Sequence, residues 1–284
     1  MKQQSPITGL SQIADQFNGI LCDVWGVLHN GVSAFPAAID ALETYKTRCG
    51  KPVVLITNAP RPSHEIEQHL RSLGVPQTCY DSIVSSGDVV QADLRAIDHA
   101  KVYHIGPKKN HSLFHGASFD FVEPNAADII VCSGLNDRRA EEPEDYRSHF
   151  EELFKLDLPL ICANPDIVAE QGDKLVWCGG ALAKLYEEMG GRVIITGKPF
   201  HPIYDMARAE LNVYAGRALE KTEILAIGDG LPTDIKGANA QGINALFLTE
   251  GIHAADLTGD AKAVESMLKA EGLYAHSFMG RLSW

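Results

Sequence analysis

The chain has 284 residues, of which 45% are apolar and 22% charged, ordinary globular values for one large domain or two moderate ones with an ample core. Its net charge of −12 argues against nucleic acid and anionic membranes as partners, since both demand clustered Lys and Arg. It leaves room for a small phosphate held by a metal ion and a lysine or two. No stretch is long and apolar enough to span a bilayer, and Met1 to Leu10 holds no signal-peptide run, so a cytoplasmic location is expected. Cys22, Cys49, Cys79, Cys132, Cys162 and Cys178 are scattered without a CxxC pair, which favours reduced thiols over zinc or disulfides.

After an amphipathic opening (Leu10, Ile13, Phe17), Gly19 to Asp23 reads as a buried strand that continues to Trp25, which would place Asp23 and Trp25 on one face. A helix is expected from Pro36, closed by Gly50, followed by a buried strand over Lys51 to Asn58 and a second helix from Pro60 to Leu73. A strand at Asp81–Val84 and a helix from Gly87 to Ile97 continue the alternation, which implies a parallel sheet with right-handed crossovers. Residues 99–191 repeat the pattern on a smaller scale, with strands at 102–105, 128–132 and 160–163, helices at 144–156 and 180–189, and a charged run, Asn136 to Asp145, expected to be a solvated loop and helix start. They read as an inserted α/β unit. The first architecture, residues 1–98, then resumes over 192–284: a strand from Val193 ending at Lys198, a helix from His201 to Leu211, a strand from Ile224 ending at Asp229, a short helix from Thr233 to Ala240, a strand at Asn244–Leu248 and a helix from Ala263 to Ala270. Gly272 to Trp284 reads as an ordered tail or a partner contact.

Asp23, Thr57-Asn58, Lys198 and Asp229 thus stand at the ends of four expected parallel strands. Each alone has an ordinary reading: an Asp opening a turn, an Asn capping a helix, a surface Lys before Pro. Together they converge where open α/β sheets bind ligands, off the carboxyl ends of the strands. Two carboxylates suit a hard cation such as Mg²⁺, Lys198 suits a phosphate oxygen or the nucleophilic carboxylate, and Thr57 and Asn58 supply neutral donors. Such a cradle fits phosphoryl transfer, where positioning and electrostatics dominate.

These residues resemble the haloacid dehalogenase-like hydrolases. Four signatures occur in order: Asp23-Val24-Trp25-Gly26-Val27-Leu28, Thr57-Asn58, Lys198-Pro199, and Gly228-Asp229-Gly230-Leu231-Pro232-Thr233-Asp234. The insert lies between the second and third, as in subclass IIA, and carries Asn164-Pro165-Asp166 and Gly179-Gly180-Ala181. The resemblance implies a Rossmann-like core with an α/β cap and a phosphatase acting on a small phosphorylated metabolite. It implies Asp23 as the nucleophile forming an aspartyl-phosphate, Mg²⁺ held by Asp23, Asp229 and the Trp25 carbonyl with Asp234 behind, and phosphate bound by Thr57, Asn58 and Lys198. Asn164 and Asp166, with the Cys178–Ala181 turn, would face the leaving group, and relatives suggest a homodimer through the cap.

One position departs from that pattern. Active phosphatases of this kind carry a second Asp two residues after the nucleophile, as general acid and base, and here it is Trp25. Indole cannot shuttle a proton, and losing such assistance costs about 10²–10⁴-fold in rate. Activity restricted to good leaving groups is expected. Two alternatives stand beside it: a dehalogenase-like enzyme, whose relatives carry an aromatic residue there, and a phosphate-ligand-binding protein with little turnover. A dinucleotide motif fails because Thr233 takes the last glycine position, and a P-loop fails because Arg192 and Pro199 interrupt it. The histidines, His104, His111 and His115 among them, show no metal-ligand spacing.

Overall fold

A computed structural model describes residues 5–172, 174–252 and 261–284; the first four residues of the segment searched for a leader lie outside them. The chain enters through β1 (Ser5–Pro6) and two short turns of tight helix carrying Leu10 and Ala14, and forms β2 (Gly19–Asp23), whose five residues are all buried. Helix α1 (Pro36–Cys49) starts on proline and stops at Gly50 in the left-handed region, as its sequence predicts. Strand β3 (Val53–Thr57) follows, then α2 (Ser63–Ser72), β4 (Ser82–Ser85) and α3 (Ser86–Arg95). Helix α2 begins three residues later than expected because Pro62 holds Arg61 away from helical geometry.

The inserted unit runs through β5 (Ala100–Ile105), β6 (Phe119–Phe121), β7 (Ile129–Cys132), α4 (Arg147–Lys155), β8 (Leu160–Cys162), the hairpin of β9 (Val168–Gln171) and β10 (Lys174–Trp177), α5 (Gly179–Glu188) and β11 (Val193–Ile195). The chain closes with α6 (His201–Ala215), β12 (Ile224–Gly228), a wide turn over Leu231–Ile235, α7 (Lys236–Gln241), β13 (Asn244–Leu248), α8 (Ala261–Ala270) and β14 (Ser277–Met279).

Seven parallel strands form the larger sheet in the order β1-β14-β13-β12-β2-β3-β4. Successive residues of its central strands feed opposite faces: Ile20, Cys22, Val53 and Leu55 pack under α1 and α2, while Leu21, Val54 and Ile56 pack against α6. The tail is therefore part of the sheet, since β14 bridges β13 and β1. The smaller sheet is also parallel, ordered β11-β8-β7-β5-β6, with its own core around Ile130, Leu160, Phe150 and Tyr186. The strand expected to carry Lys198 off the larger sheet is β11, and it pairs with β8 in the smaller one. An apolar triplet specifies a strand but not which sheet it joins. Only after Gly197 does the chain return to the larger unit, and Thr196 ties the two passages together by a 2.7 Å hydroxyl contact to Ser86. The cysteines are free thiols, all but Cys49 buried. Among the described residues no helix is long and apolar enough to cross a membrane.

Candidate active site

Strands β12, β2 and β3 are neighbours, and their carboxyl ends deliver Asp229, Asp23 and Thr57 to one edge. Asp23, Asp229, Asp234 and Lys198 are each at most 6% exposed. The Lys198 ammonium donates to Asp23 Oδ1 at 2.5 Å, to Asp234 Oδ1 at 2.7 Å and to the Ile56 carbonyl at 3.3 Å. Asp234 is presented by the Leu231–Ile235 turn, where the Ile235 amide reaches back to the Gly230 carbonyl, and its Oδ2 accepts from the Gly230 amide at 3.0 Å. Asp229 accepts from the Ile252 amide at 2.9 Å. Gly26, at φ +83, and Gly251 both close on its carboxylate, and a Cβ at either would occupy the same space.

Oxygens of Asp23, Asp229 and Asp234 lie within 4.8 Å of one another. Three buried carboxylates with one ammonium leave an excess of negative charge, and burial followed by the Asp234 charge pushes Asp229 up to about 7. Burial likewise raises Asp23, against the pull of Lys198. Lys198 itself is lowered by burial, but the Asp23 and Asp234 carboxylates outweigh that and hold the ammonium charged. An all-oxygen, over-negative pocket fits a hard divalent cation such as Mg²⁺.

The remaining expected residues divide. Thr57 is buried at the cradle, with its hydroxyl accepting from the Ala59 amide at 3.3 Å. Asn58 is already engaged: its Oδ1 accepts from the Lys198 amide at 2.7 Å, and its Nδ2 donates to Asp166 Oδ1 at 2.7 Å and to the Lys198 carbonyl at 3.3 Å. It clamps the Lys198 backbone and reaches across to the smaller unit. Asn164 accepts from the Asp166 amide at 3.3 Å, an Asx turn that shapes the loop carrying Asp166. Burial raises the Asp166 carboxyl, opposed by Lys198. Strand β2 ends at Asp23, so the alternation expected to align Trp25 with it does not extend that far. The Trp25 indole lies on the Gly31 backbone and edge-on to His29, with ring centroids 4.9 Å apart.

A cavity of about 630 Å³ opens between the two units, lined by Trp25 and Thr57 of the larger and by Asn164, Asp166 and Trp177 of the smaller. The same cavity is lined by Arg61, Lys109, Arg138 and Arg139, none of which falls within a sequence signature. Arg138 and Arg139 fall in the run taken for a solvated loop. The available signal is topological: Arg61 follows β3, Lys109 follows β5 and the arginine pair follows β7, each beyond the carboxyl end of a parallel strand.

Comparison with known proteins agrees with this fold. A family model described as haloacid dehalogenase-like hydrolase matches residues 20–120, and a second HAD-hydrolase-like model matches residues 195–270. A crystal structure of a haloacid dehalogenase-like family hydrolase from Brucella suis 1330 superposes with a TM-score of 0.88 at 38% identity, covering 97% of this chain and 99% of that one. The ribonucleotide monophosphatase NagD of Escherichia coli (strain K12) is 26% identical over 84% of this chain and 89% of its own length. The 5'-nucleotidase YutF of Bacillus subtilis (strain 168) is 24% identical over 83% of this chain and 88% of its own.

Proposed function

This chain belongs to the haloacid dehalogenase-like hydrolases, subclass IIA, and from that membership we propose that it is a Mg²⁺-dependent phosphatase of small phosphorylated metabolites working through Asp23. The observation that carries the reading is the Lys198 ammonium shared between Asp23 and Asp234 at the edge of the larger sheet, with Asp229 beside them. Bound by Asp23, Asp229, Asp234 and the Trp25 carbonyl, the cation would neutralise the incoming phosphate and the crowded carboxylates.

Asp23 supplies a carboxylate oxygen that attacks phosphorus as the bond to the leaving-group oxygen breaks and that oxygen takes the electron pair. Water then attacks the phosphorus of the aspartyl-phosphate, releasing inorganic phosphate and restoring the carboxylate. Lys198 holds Asp23 in position and offsets charge on the phosphoryl oxygens, and Thr57 donates to one of them. Asn58 keeps Lys198 and Asp166 in register. Residues 99–191, extended through β11, act as the cap over the cradle and contact the leaving group. Trp25 offers the departing oxygen no proton, so aryl and acyl phosphates should turn over faster than alkyl ones.

A panel of phosphate esters assayed with and without Mg²⁺, beside Asp23→Asn, tests this. Magnesium-dependent turnover that Asp23→Asn abolishes supports the reading. Equal rates in the two proteins would refute Asp23 as nucleophile, and metal-independent halide release from haloacids would replace the reading with a dehalogenase.

A further inference from the structure

We propose that the substrate carries a second anionic group, on its leaving-group side, held by Arg61, Lys109, Arg138 and Arg139, which line the cavity between cap and core. The inference rests on the phosphatase reading and deepens it by naming the charge class of the substrate.

The four cations come from three loops, one in the larger unit and two in the smaller, and line one cavity. They sit near enough to act on one another. Burial first, and then the charges of Arg138, Arg61 and Arg139, lower Lys109; burial and Arg138 lower Arg61. The acids acting on Lys109 and Arg61 are Asp137 and Glu65, and Asp137 and Asp166 are the acids in the lining of the cavity. Asp137 Oδ1 accepts from the Arg139 amide at 3.0 Å, so it is partly occupied by its own loop. Among the described residues, none of the four cationic heads makes a hydrogen bond or an ion pair. Elsewhere in this chain exposed basic side chains do find acids, as in Arg71–Glu67 and Arg281–Glu250.

A chain with a net charge of −12 that gathers four unpaired cations in one concavity has placed them against its own average. The scissile phosphate does not account for them, because the cradle already supplies Lys198 and Thr57 for it. A second anion does: guanidinium forks bind phosphate or carboxylate oxygens bidentately, and each such contact is strongest where water is partly excluded. About 630 Å³ accommodates a metabolite-sized leaving group between the two anion sites.

The test compares matched esters that differ by one anionic group: a nucleoside monophosphate against the corresponding bisphosphate, and glycerol phosphate against phosphoglycerate. Specificity is read as the ratio of kcat/KM within each pair, with Mg²⁺ present. The first pair reports a second phosphate and the second a carboxylate. The more anionic member should win at least one pair by about tenfold or more, and Arg138→Gln or Lys109→Gln should each cut that ratio by about tenfold. The ratio is internal to each protein, so a general loss of activity in a variant does not mimic the effect. Ratios near one in both pairs, or ratios that neither variant changes, overturn the proposal while leaving the phosphatase reading standing. Should no ester turn over, that reading falls, and calorimetric affinity for the bisphosphate against the monophosphate decides the second site: tighter bisphosphate binding that Arg138→Gln removes supports it, and equal affinities refute it.

Discussion

Lys198 and the four cavity cations carry the same charge in opposite settings. Lys198 is buried, pinned by Asp23 and Asp234, and its backbone is clamped by Asn58. Arg61, Lys109, Arg138 and Arg139 line the cavity, and among the described residues none of their charged heads pairs with an acid. A buried ion pair of this quality is a poor source of stability but a good source of fixed geometry. Unpaired cations around a cavity fix nothing until an anion arrives. The contrast separates a region preorganised for chemistry from one that selects what reaches it, and variants on either side should fail in different ways.

The cradle side should show the largest effects. Asp23→Asn removes the only nucleophile the mechanism uses, and kcat should fall by about 10⁴-fold or more while substrate affinity changes little. Stopped-flow or single-turnover assays would separate the two. Lys198→Met comes next. It leaves Asp23 and Asp234 buried without their shared cation, which costs about 3–5 kcal/mol of stability, and kcat should drop by about 10²–10³-fold. Added Mg²⁺ should raise the melting temperature of this variant more than that of the parent. An equal rise in both would argue that the cation does not share the carboxylates with Lys198.

How far these two regions could be read from sequence follows from their construction. Asp23, Thr57 and Asp229 each end or follow a buried apolar strand and need only the rule that ligands sit at strand ends. Lys198 is legible from its motif, whereas the sheet its strand joins is not, since three apolar residues, Val193–Ile195, cannot announce their neighbour. The role of Asn58 was hidden because its partners, Asp166 and Lys198, are far away along the chain and appear only when the cap is folded over the core. The basic quartet was hidden for the same reason, and its arginine pair lay in a run whose acids, Glu141 to Glu144, gave it the look of a solvated loop. Strand β14 was missed because Ser277-Phe278-Met279 is too short to show a period.

Trp25 lies where the two regions meet, lining the cavity from the core side. Trp25→Asp would supply the proton donor that the cradle lacks. Turnover of alkyl phosphates should rise by up to about 10²-fold, and that of aryl phosphates, whose leaving groups need no proton, should rise far less. A kcat that is unchanged for both classes would mean that the leaving-group proton comes from elsewhere in the cavity, with the Asp166 carboxyl as the nearest candidate.

Beneath Trp25, His29 is 1% exposed, accepts from the Gly31 amide at 2.9 Å and faces His69 edge-on at 5.6 Å. Burial, and then the charge of His69, lower its pKa to about 4. Because the folded value lies below that of the unfolded chain, the unfolded state binds more protons between about pH 6.5 and 4, and stability falls as pH drops through that window. The loss by pH 5 is about 2 kcal/mol. His29→Gln retains a side-chain acceptor for Gly31 but cannot titrate, so denaturant midpoints measured from pH 7 to pH 5 should decline less steeply in the variant than in the parent. A variant whose decline matches the parent's would move that step away from His29, and not onto Asp23 or Asp229, whose raised folded values make the folded state the better proton binder and so oppose an acid-side decline.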